Sequence, residues 1–277
     1  MRNGVPRIDW SHPRANGLVG CYLPGITPVN LTGIGGSSTD LIYDTAATLV
    51  GTPNGTALSC GASHANAYTT PGALPAQFTS VPLTIFVRMY CPDQQASSAG
   101  SVASIDYSTA GGAPYWVMGM VNAGSIAHFT KFNLEWNNAG NWPGAGTATP
   151  AFALPSINSY CGTFNYVNGG SNNFARSYLN GQEVIPANAM TGAPSSLAGA
   201  GGSALTIGTW LGDRTRYSAV NPDIVCCWNR LFSAADVFIQ DADPYGFLIW
   251  PDDEVFSAMQ NSTVTLSLQG FAPTIMM

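Results

Sequence analysis

Apolar and polar residues alternate along much of this 277-residue chain, which is the pattern of β-strands with one buried face. One face of the segment 82–90 carries only apolar residues, namely Leu83, Ile85, Val87 and Met89. The segment 125–136 alternates in the same way and ends at Trp136. Shorter alternating segments recur at 16–23, 115–121, 159–167, 174–179, 182–186, 204–211 and 223–229. Because clusters of Gly, Asn, Pro and Ser separate them, the chain is predicted to be a β-sandwich or barrel.

Two short motifs predict local structure directly. Asn180-Gly181 lies between two alternating segments, and this dipeptide accepts the positive φ angles of a type I′ turn, so we predict a β-hairpin there. Ser233 and Asp236 have the spacing of a capping box, in which each side chain accepts a hydrogen bond from a free amide at the start of a helix. This helix should end before Asp243-Pro244, since a residue that precedes proline is pushed out of the helical conformation.

We predict one domain over residues 16–251, preceded by an arm over 1–15 and followed by a tail over 252–277. Trp10 is the large apolar residue of the arm, and we expect it to contact a neighbouring subunit. The tail alternates Thr and Ser with three apolar residues, Val264, Leu266 and Leu268. Such a strand can add to the sheet of a partner or pack on its own domain. Four segments are predicted as loops within the domain: 93–101, 108–114, 137–150 and 186–204.

The charge content argues against several classes of partner. Charged residues make up only 9% of the chain, and nine Lys and Arg stand against fifteen Asp and Glu, for a net charge of −6. The nine cations are scattered, whereas nucleic-acid binding depends on clustered Lys and Arg, so we expect no nucleic-acid partner. No apolar run has the length of a membrane span, and the first residues have no apolar leader. We therefore expect synthesis in a cytoplasm and no membrane partner.

The six cysteines are expected to be buried, reduced thiols. They are far apart in sequence except for Cys226-Cys227, and no C-x-x-C occurs. Because neighbouring residues of a strand point to opposite faces, Cys226 and Cys227 should not ligate one metal together.

Segments near both ends of the predicted domain resemble a known family. The opening segment 16–22 (Asn-Gly-Leu-Val-Gly-Cys-Tyr), the strand 205–208 and the Tyr-Leu-Asn-Gly hairpin at 178–181 are similar to laminin G-like, or concanavalin A-like, jelly rolls of bacteriophages and prophages. The best match is 222–251, where an apolar strand, Trp-Asn-Arg, a short helix and an Asp-Pro-Tyr exit follow in order. The resemblance implies an all-β, two-sheet antiparallel jelly-roll sandwich with one short C-terminal helix.

Some relatives of this fold cleave glucans with a Glu-x-Asp-x-Glu strand, and this motif is absent here. No Gly-x-Ser-x-Gly elbow is present either. We expect His128 to be a core histidine and His12 to be solvated. These observations predict a protein that is not an enzyme and has no catalytic or metal-ligating residue. Calcium is the open alternative among cofactors, because relatives bind it in rim loops and Asp213 and Asp223 are the loop acids near the matching strands.

The loop 136–142 is the candidate glycan-binding site. It places two indoles around three amides: Trp136, Asn137, Asn138, Asn141 and Trp142. Aromatic faces pack on the apolar side of a sugar while amides bind its hydroxyl groups. The alternative is that Trp136 continues the apolar face of its strand and closes the sandwich.

The resemblance, taken with these exclusions, predicts a non-enzymatic virion protein of a phage. The leading hypothesis is an accessory capsid protein, or decoration protein, that binds the major capsid protein and other virion proteins and forms a homo-oligomer. The first alternative is a carbohydrate-binding tail or receptor-binding module that recognises a host-surface glycan. The second alternative is a glycan hydrolase.

Overall fold

The structure is a computed structural model that describes residues 4–44, 47–60, 67–70, 72, 74–79, 82–92, 100–106, 116–122, 129–136, 147–148, 153–165, 174–189, 204–208 and 220–251. Within them the strands are β1 (Arg7–Ile8), β2 (Leu18–Tyr22), β3 (Ile42–Tyr43), β4 (Thr48–Thr52), β5 (Gly55–Ser59), β6 (Ala67–Tyr68), β7 (Leu83–Cys91), β8 (Gly100–Asp106), β9 (Trp116–Asn122), β10 (Phe129–Trp136), β11 (Thr147–Ala148), β12 (Ser156–Asn165), β13 (Phe174–Leu179), β14 (Gln182–Ala189), β15 (Ala204–Ile207), β16 (Asn221–Trp228) and β17 (Leu248–Ile249). The α-helices are α1 (Ala76–Thr79) and α2 (Ala234–Ala242).

Two large antiparallel sheets form the body. One has seven strands in the order β11-β10-β9-β8-β15-β6-β3, and the other has six strands in the order β14-β13-β12-β7-β16-β2. Two small antiparallel ribbons, β1-β17 and β4-β5, complete the described strands. The predicted class, an all-β two-sheet antiparallel sandwich of the jelly-roll type, is confirmed.

The first core lies between the two sheets. It takes alternate residues from β7 of the six-stranded sheet and meets Leu205 and Ile207 of the seven-stranded sheet. The β7 residues are the four of the predicted apolar face, Leu83, Ile85, Val87 and Met89, and all four are fully buried. The alternation of apolar and polar residues in 82–90 therefore predicted correctly which β7 side chains face this core.

A second core covers the outer face of the six-stranded sheet. Phe86 of β7 and Trp228 of β16 point into it, and Val237 of α2, Phe247 and Ile8 close it from outside. Neighbouring residues of β16 divide between the two cores, with Cys226 in the outer core and Cys227 in the inner one. The central strands β7 and β16 of the six-stranded sheet are thus buried on both faces.

The two local motifs fold as predicted. Asn180 and Gly181 have φ angles of 50° and 75°, and they join β13 to β14 with Leu179 opposite Gln182. The Ser233 side chain accepts a hydrogen bond from the Asp236 amide, and the Asp236 side chain accepts one from the Ser233 amide. Helix α2 ends at Ala242, directly before Asp243.

Some element bounds differ from the prediction. Strand β8 begins at Gly100, inside the predicted loop 93–101, and β14 continues to Ala189, past the start of the predicted loop 186–204. The strands β1, β3, β6, β11 and β17 have two residues each, which is too short for alternation to show. Helix α1 was not predicted.

The described part of the predicted arm, residues 4–15, packs on the domain. Arg7 pairs with Ile249 in the β1-β17 ribbon, and Ile8 is buried in the outer core. The Arg14 carbonyl accepts a hydrogen bond from the Trp228 indole at 2.7 Å. Gly4, with φ +84°, lies so close to Pro251 that a Cβ atom on it would be 3.0 Å from the proline Cγ. The two ends of the described chain therefore touch.

Candidate functional site

A pocket of about 290 Å³ opens beside the bulged part of β16, between the β4-β5 hairpin and the chain that follows α2. We call it the Asp223 pocket. It is lined by Ile26, Asn54, Gly55, Thr56, Asp223, Asp243, Tyr245 and Trp250.

Asp223 reaches this pocket because β16 carries a β-bulge. Against β7, Pro222 pairs with Met89 and Ile224 pairs with Arg88, so Asp223 is an extra residue with no cross-strand partner there. A bulge bends its strand and redirects the side chain of the extra residue. A carboxylate in an otherwise apolar strand is thereby turned out of both cores and toward the pocket, with only 4% of its side chain exposed.

Two neighbours contact one oxygen of the carboxylate, Oδ2. Arg88 Nε lies 3.4 Å from Asp223 Oδ2, and the Tyr245 hydroxyl donates a hydrogen bond to the same oxygen at 2.9 Å. The Arg88 guanidinium also lies over the Tyr245 ring, 5.2 Å from its centroid, a favourable cation–π geometry. These three side chains form one connected group below the pocket.

Burial changes the protonation of this group. Removal from water raises the pKa of Asp223 above its ordinary value of 3.8, and the positive charge of Arg88 counteracts part of that rise. Burial also raises the pKa of the Tyr245 phenol, and the nearby Asp223 carboxylate raises it further. Tyr245 therefore keeps its proton and acts as a hydrogen-bond donor to Asp223.

The second oxygen of Asp223, Oδ1, is buried and unsatisfied among the described residues. Among the described residues, neither Asp223 Oδ1 nor Asn54 Nδ2 has a hydrogen-bond partner. The Asn54 side chain acts on Asp223 as a hydrogen-bonding neighbour that lowers the pKa of the carboxyl, yet Nδ2 and Oδ1 do not meet strict hydrogen-bond geometry. Since buried polar groups in folded proteins are nearly always hydrogen-bonded, a bridging water or a ligand hydroxyl between these two atoms would satisfy both.

Asn54 lies at the tip of the β4-β5 hairpin, which places it in the pocket lining. Thr52 pairs with Gly55, so Pro53 and Asn54 form the two-residue tip. The Thr52 hydroxyl accepts a hydrogen bond from the Asn54 amide at 3.2 Å and donates one to the Gly55 carbonyl at 2.9 Å. The turn after β2 packs tightly on this hairpin, because a Cβ atom on Gly25 would lie 2.0 Å from the Thr56 carbonyl oxygen.

Two aromatic rings form the apolar wall. Tyr245 and Trp250 meet edge to face, with centroids 6.3 Å apart and planes at 75°. Trp250 is 4% exposed, whereas Ile26 at the rim is 41% exposed. A pocket that combines aromatic walls with a few convergent polar groups is the usual form of a small-ligand site, and it suits the mixed apolar and hydroxyl surface of a sugar.

The described residues contain no metal centre. No group of three or more His, Cys, Asp or Glu side chains comes together among them. Asp223, one of the two calcium candidates, is paired with Arg88, and Asp213 lies outside the described residues. None of the helices in the described part of the chain has the length and hydropathy that a membrane span requires.

The other predicted site residues lie elsewhere. Trp136 is the last residue of β10 and pairs with Trp116 of β9. Trp10 is 57% exposed in the turn after β1. The remaining candidates lie outside the described residues: Asn137, Asn138, Asn141, Trp142, Val264, Leu266 and Leu268. His128 also lies outside them. His12 was expected to be solvated, but it is half-buried and its Nδ1 accepts a hydrogen bond from the Arg14 amide at 3.1 Å.

The sequence analysis missed the pocket because its residues are far apart in the chain. Two signals for it were nevertheless present. Asp223 is a charged residue inside a buried apolar strand, and buried acids are rare unless they are paired. Asn54-Gly55 is a turn dipeptide, which marks the hairpin tip.

No family model matches the chain, and no curated protein sequence is similar to it. Several solved structures share its fold. Domain 4 of a GH43 extracellular arabinanase from Geobacillus stearothermophilus, in complex with arabinotriose, matches with a TM-score of 0.51 and 12% identity over 80% of this chain and 97% of that one. A Trypanosoma rangeli sialidase in complex with 2,3-difluorosialic acid matches with a TM-score of 0.61 and 13% identity over 84% of this chain and 34% of the sialidase. The binding domain of Paraclostridial mosquitocidal protein 1 matches with a TM-score of 0.55 and 11% identity over 83% of this chain and 53% of that one.

These comparisons contradict the prediction that the chain is not an enzyme. The matched structures include several sialidases and a domain of an arabinanase, so this fold occurs within carbohydrate-active enzymes. The catalytic motifs that the sequence lacks are a small set, and their absence does not exclude chemistry built from other residues. The chain spans about a third of the length of the sialidases, and the likeness is one of fold.

Proposed function

We propose that this domain binds a carbohydrate in the Asp223 pocket. The observation that carries the proposal is the adjacent pair of unsatisfied polar atoms, Asp223 Oδ1 and Asn54 Nδ2, at the foot of a pocket walled by Tyr245 and Trp250. A hydroxyl group is both a donor and an acceptor, so one sugar hydroxyl can donate to Oδ1 and accept from Nδ2. The aromatic wall then packs against the apolar side of the sugar ring.

The solved structures with this fold give independent support. One was determined with arabinotriose bound and another with sialic acid bound. Those ligands belong to those proteins, and here they serve only to make carbohydrate a sensible first class of ligand to test.

The test is a glycan array followed by titration calorimetry on the best oligosaccharide, with the Asn54→Ala variant as the main perturbation. Asn54 is half-buried at a hairpin tip and its side-chain amide nitrogen has no partner in the described residues, so its loss should leave the fold intact. We expect binding to weaken by about tenfold, or about 1.4 kcal/mol, since one hydrogen bond is lost. Trp10→Ala, which removes an exposed aromatic side chain elsewhere, is the matched control and should bind normally.

Two outcomes would contradict the proposal, one by placing the sugar site elsewhere and the other by rejecting carbohydrate binding. Binding that is lost in Trp142→Ala but kept in Asn54→Ala would assign the sugar to the loop 136–142 instead of the pocket. The absence of saturable binding to any glycan would reject the function. Assay of the same oligosaccharide for new reducing ends separates binding from cleavage, and cleavage that Asp223→Asn abolishes would make the pocket a catalytic one.

The phage setting stays a proposal that comes from the family resemblance. It comprises attachment to a virion as a capsid decoration protein or as a tail module, with the major capsid protein or a host glycan as partner. The exposed Trp10 is compatible with a partner contact. Co-sedimentation with shells that lack this protein tests it, and Trp10→Ala should reduce the bound fraction. Failure of the wild-type chain to co-sediment would reject the decoration role.

A further inference from the structure

The charged residues around the Asp223 pocket indicate which kind of ligand it can accept. Two of its eight lining residues, Asp223 and Asp243, are acids, and none is basic. The two cations nearest to these acids are already engaged. Arg88 pairs with Asp223 at 3.4 Å, and Arg14 pairs with Asp243 at 3.2 Å. A ligand that entered the pocket would meet carboxylates without a free cation among the described lining residues.

The unsatisfied atoms point to the same kind of ligand. Asp223 Oδ1 can only accept a hydrogen bond while the carboxyl is ionised, so its partner must carry a donor. A ligand carboxylate or sulfate has acceptors only, and it would satisfy Asn54 Nδ2 while facing the Asp223 charge at short range. A sugar hydroxyl satisfies both atoms at once.

The size of the pocket limits how much of a ligand it can hold. A volume of about 290 Å³ is just below the usual range of small-ligand pockets, which is about 300–1,000 Å³. One sugar residue against the Tyr245 and Trp250 wall is therefore the unit of recognition, and further residues of an oligosaccharide would extend past Ile26 at the exposed rim.

We propose that the Asp223 pocket selects a neutral sugar residue, whose hydroxyl group bridges Asp223 Oδ1 and Asn54 Nδ2, and rejects sugars that carry a carboxylate or a sulfate. This inference rests on the proposed carbohydrate-binding function and adds the class of sugar. Sialic acid, the acidic sugar with which one sialidase that matches this fold was solved, is therefore a ligand that this pocket should reject.

The experiment compares matched ligands that differ in one group. Oligosaccharides ending in glucose or galactose are titrated beside the same oligosaccharides ending in glucuronate or galacturonate, and beside a sialylated one. We expect the acidic member of each pair to bind wild-type protein roughly tenfold more weakly or worse, because its carboxylate would lie near the exposed Asp243 carboxylate and meet no free cation among the described lining residues. The difference in affinity between the neutral and the acidic oligosaccharide should be smaller in Asp243→Asn, since Asp243 is at the rim and its side chain is 62% exposed. It should also narrow at high salt, which screens exposed charges.

The outcomes separate this inference from the function on which it rests. Equal or tighter binding of the acidic sugars, lost in Asn54→Ala, would overturn the neutral selectivity and leave carbohydrate binding in place. No binding of either member, or binding that Asn54→Ala does not change, would reject the pocket as the site. If the affinity difference between neutral and acidic sugars is the same in Asp243→Asn and at high salt as in wild type at low salt, charge does not determine the selectivity.

Discussion

Replacing Arg14 with methionine tests whether the segment before β2 is part of the folded body. Arg14 Nη1 donates to the Gln240 side chain at 3.3 Å, and it also donates to the carbonyls of Ile239 and Asp243 at the end of α2. Its guanidinium pairs with the Asp243 carboxylate at 3.2 Å and lies 5.7 Å from the Phe247 ring centroid. The side chain is 7% exposed, so these groups are shielded from water.

The size of the effect follows from these contacts. A hydrogen bond to a charged group contributes about 1.5–3 kcal/mol, and a cation at a partly buried helix C-terminus contributes up to about 2 kcal/mol. The Asp243 carboxylate is 62% exposed, so the ion pair itself adds little. Methionine retains most of the apolar stem. We therefore expect Arg14→Met to lower the free energy of unfolding by about 3 kcal/mol and the Tm by about 6–12 °C, given the size of the chain.

Urea denaturation and differential scanning calorimetry of Arg14→Met beside wild type measure this loss. The matched control is Arg176→Met, because Arg176 forms a 3.3 Å ion pair with Glu183 on a half-exposed surface and should cost less than about 1 kcal/mol. If both variants unfold like wild type within experimental error, the contacts of Arg14 contribute nothing and residues 4–15 do behave as a loose arm.

Three further predictions concern stability and reactivity. Ser233→Ala removes the hydroxyl that caps α2, so the free energy of unfolding should fall by about 1 kcal/mol, measured by urea denaturation, and an unchanged midpoint would contradict the capping box. Burial raises the pKa of Cys60 and of Cys227 to about 12, and all six thiols are buried. A thiol reagent at neutral pH should therefore label the native protein only as fast as it unfolds, and it should label six thiols in denaturant. A thiol that is labelled rapidly in the native protein would contradict this. The pKa of Asp223 is raised in the folded state, so wild type loses stability as the pH rises from 3.8 through the raised value. Asp223→Asn lacks this loss, so its free energy of unfolding relative to that of wild type should increase over the same pH interval. A difference that stays constant with pH would refute this.

The features that the sequence predicted well are those that local chemistry determines. The alternation in 82–90, the Asn180-Gly181 turn and the Ser233 capping box all appear at the expected positions. Each depends on residues close together in the chain, so no knowledge of distant partners is needed. The second core is different, because the residues of β16 are apolar on both faces and only the packing of α2 and Ile8 reveals what covers the outer one.

The pocket could not be predicted from periodicity. Asp223 interrupts the pattern of β16, but its orientation depends on a bulge that appears only when β16 is paired with β7. Asn54 lies 169 residues before Asp223 and 191 before Tyr245, and these residues line one pocket because the β4-β5 hairpin and the chain after α2 pack beside that strand. The sugar site predicted at 136–142 rests on the composition of that loop, and composition carries no information about how distant segments converge.

The contact between Gly4 and Pro251 has a mechanical consequence. Tension applied to the two ends of the described chain would act first on the β1-β17 ribbon, whose two residue pairs can separate one after the other, before it reached the larger sheets. Trp250 lies between β17 and Pro251 and forms part of the pocket wall. A pulled chain should therefore release its ligand before the sandwich itself opens, and single-molecule stretching with and without sugar would reveal a low-force step that the sugar strengthens.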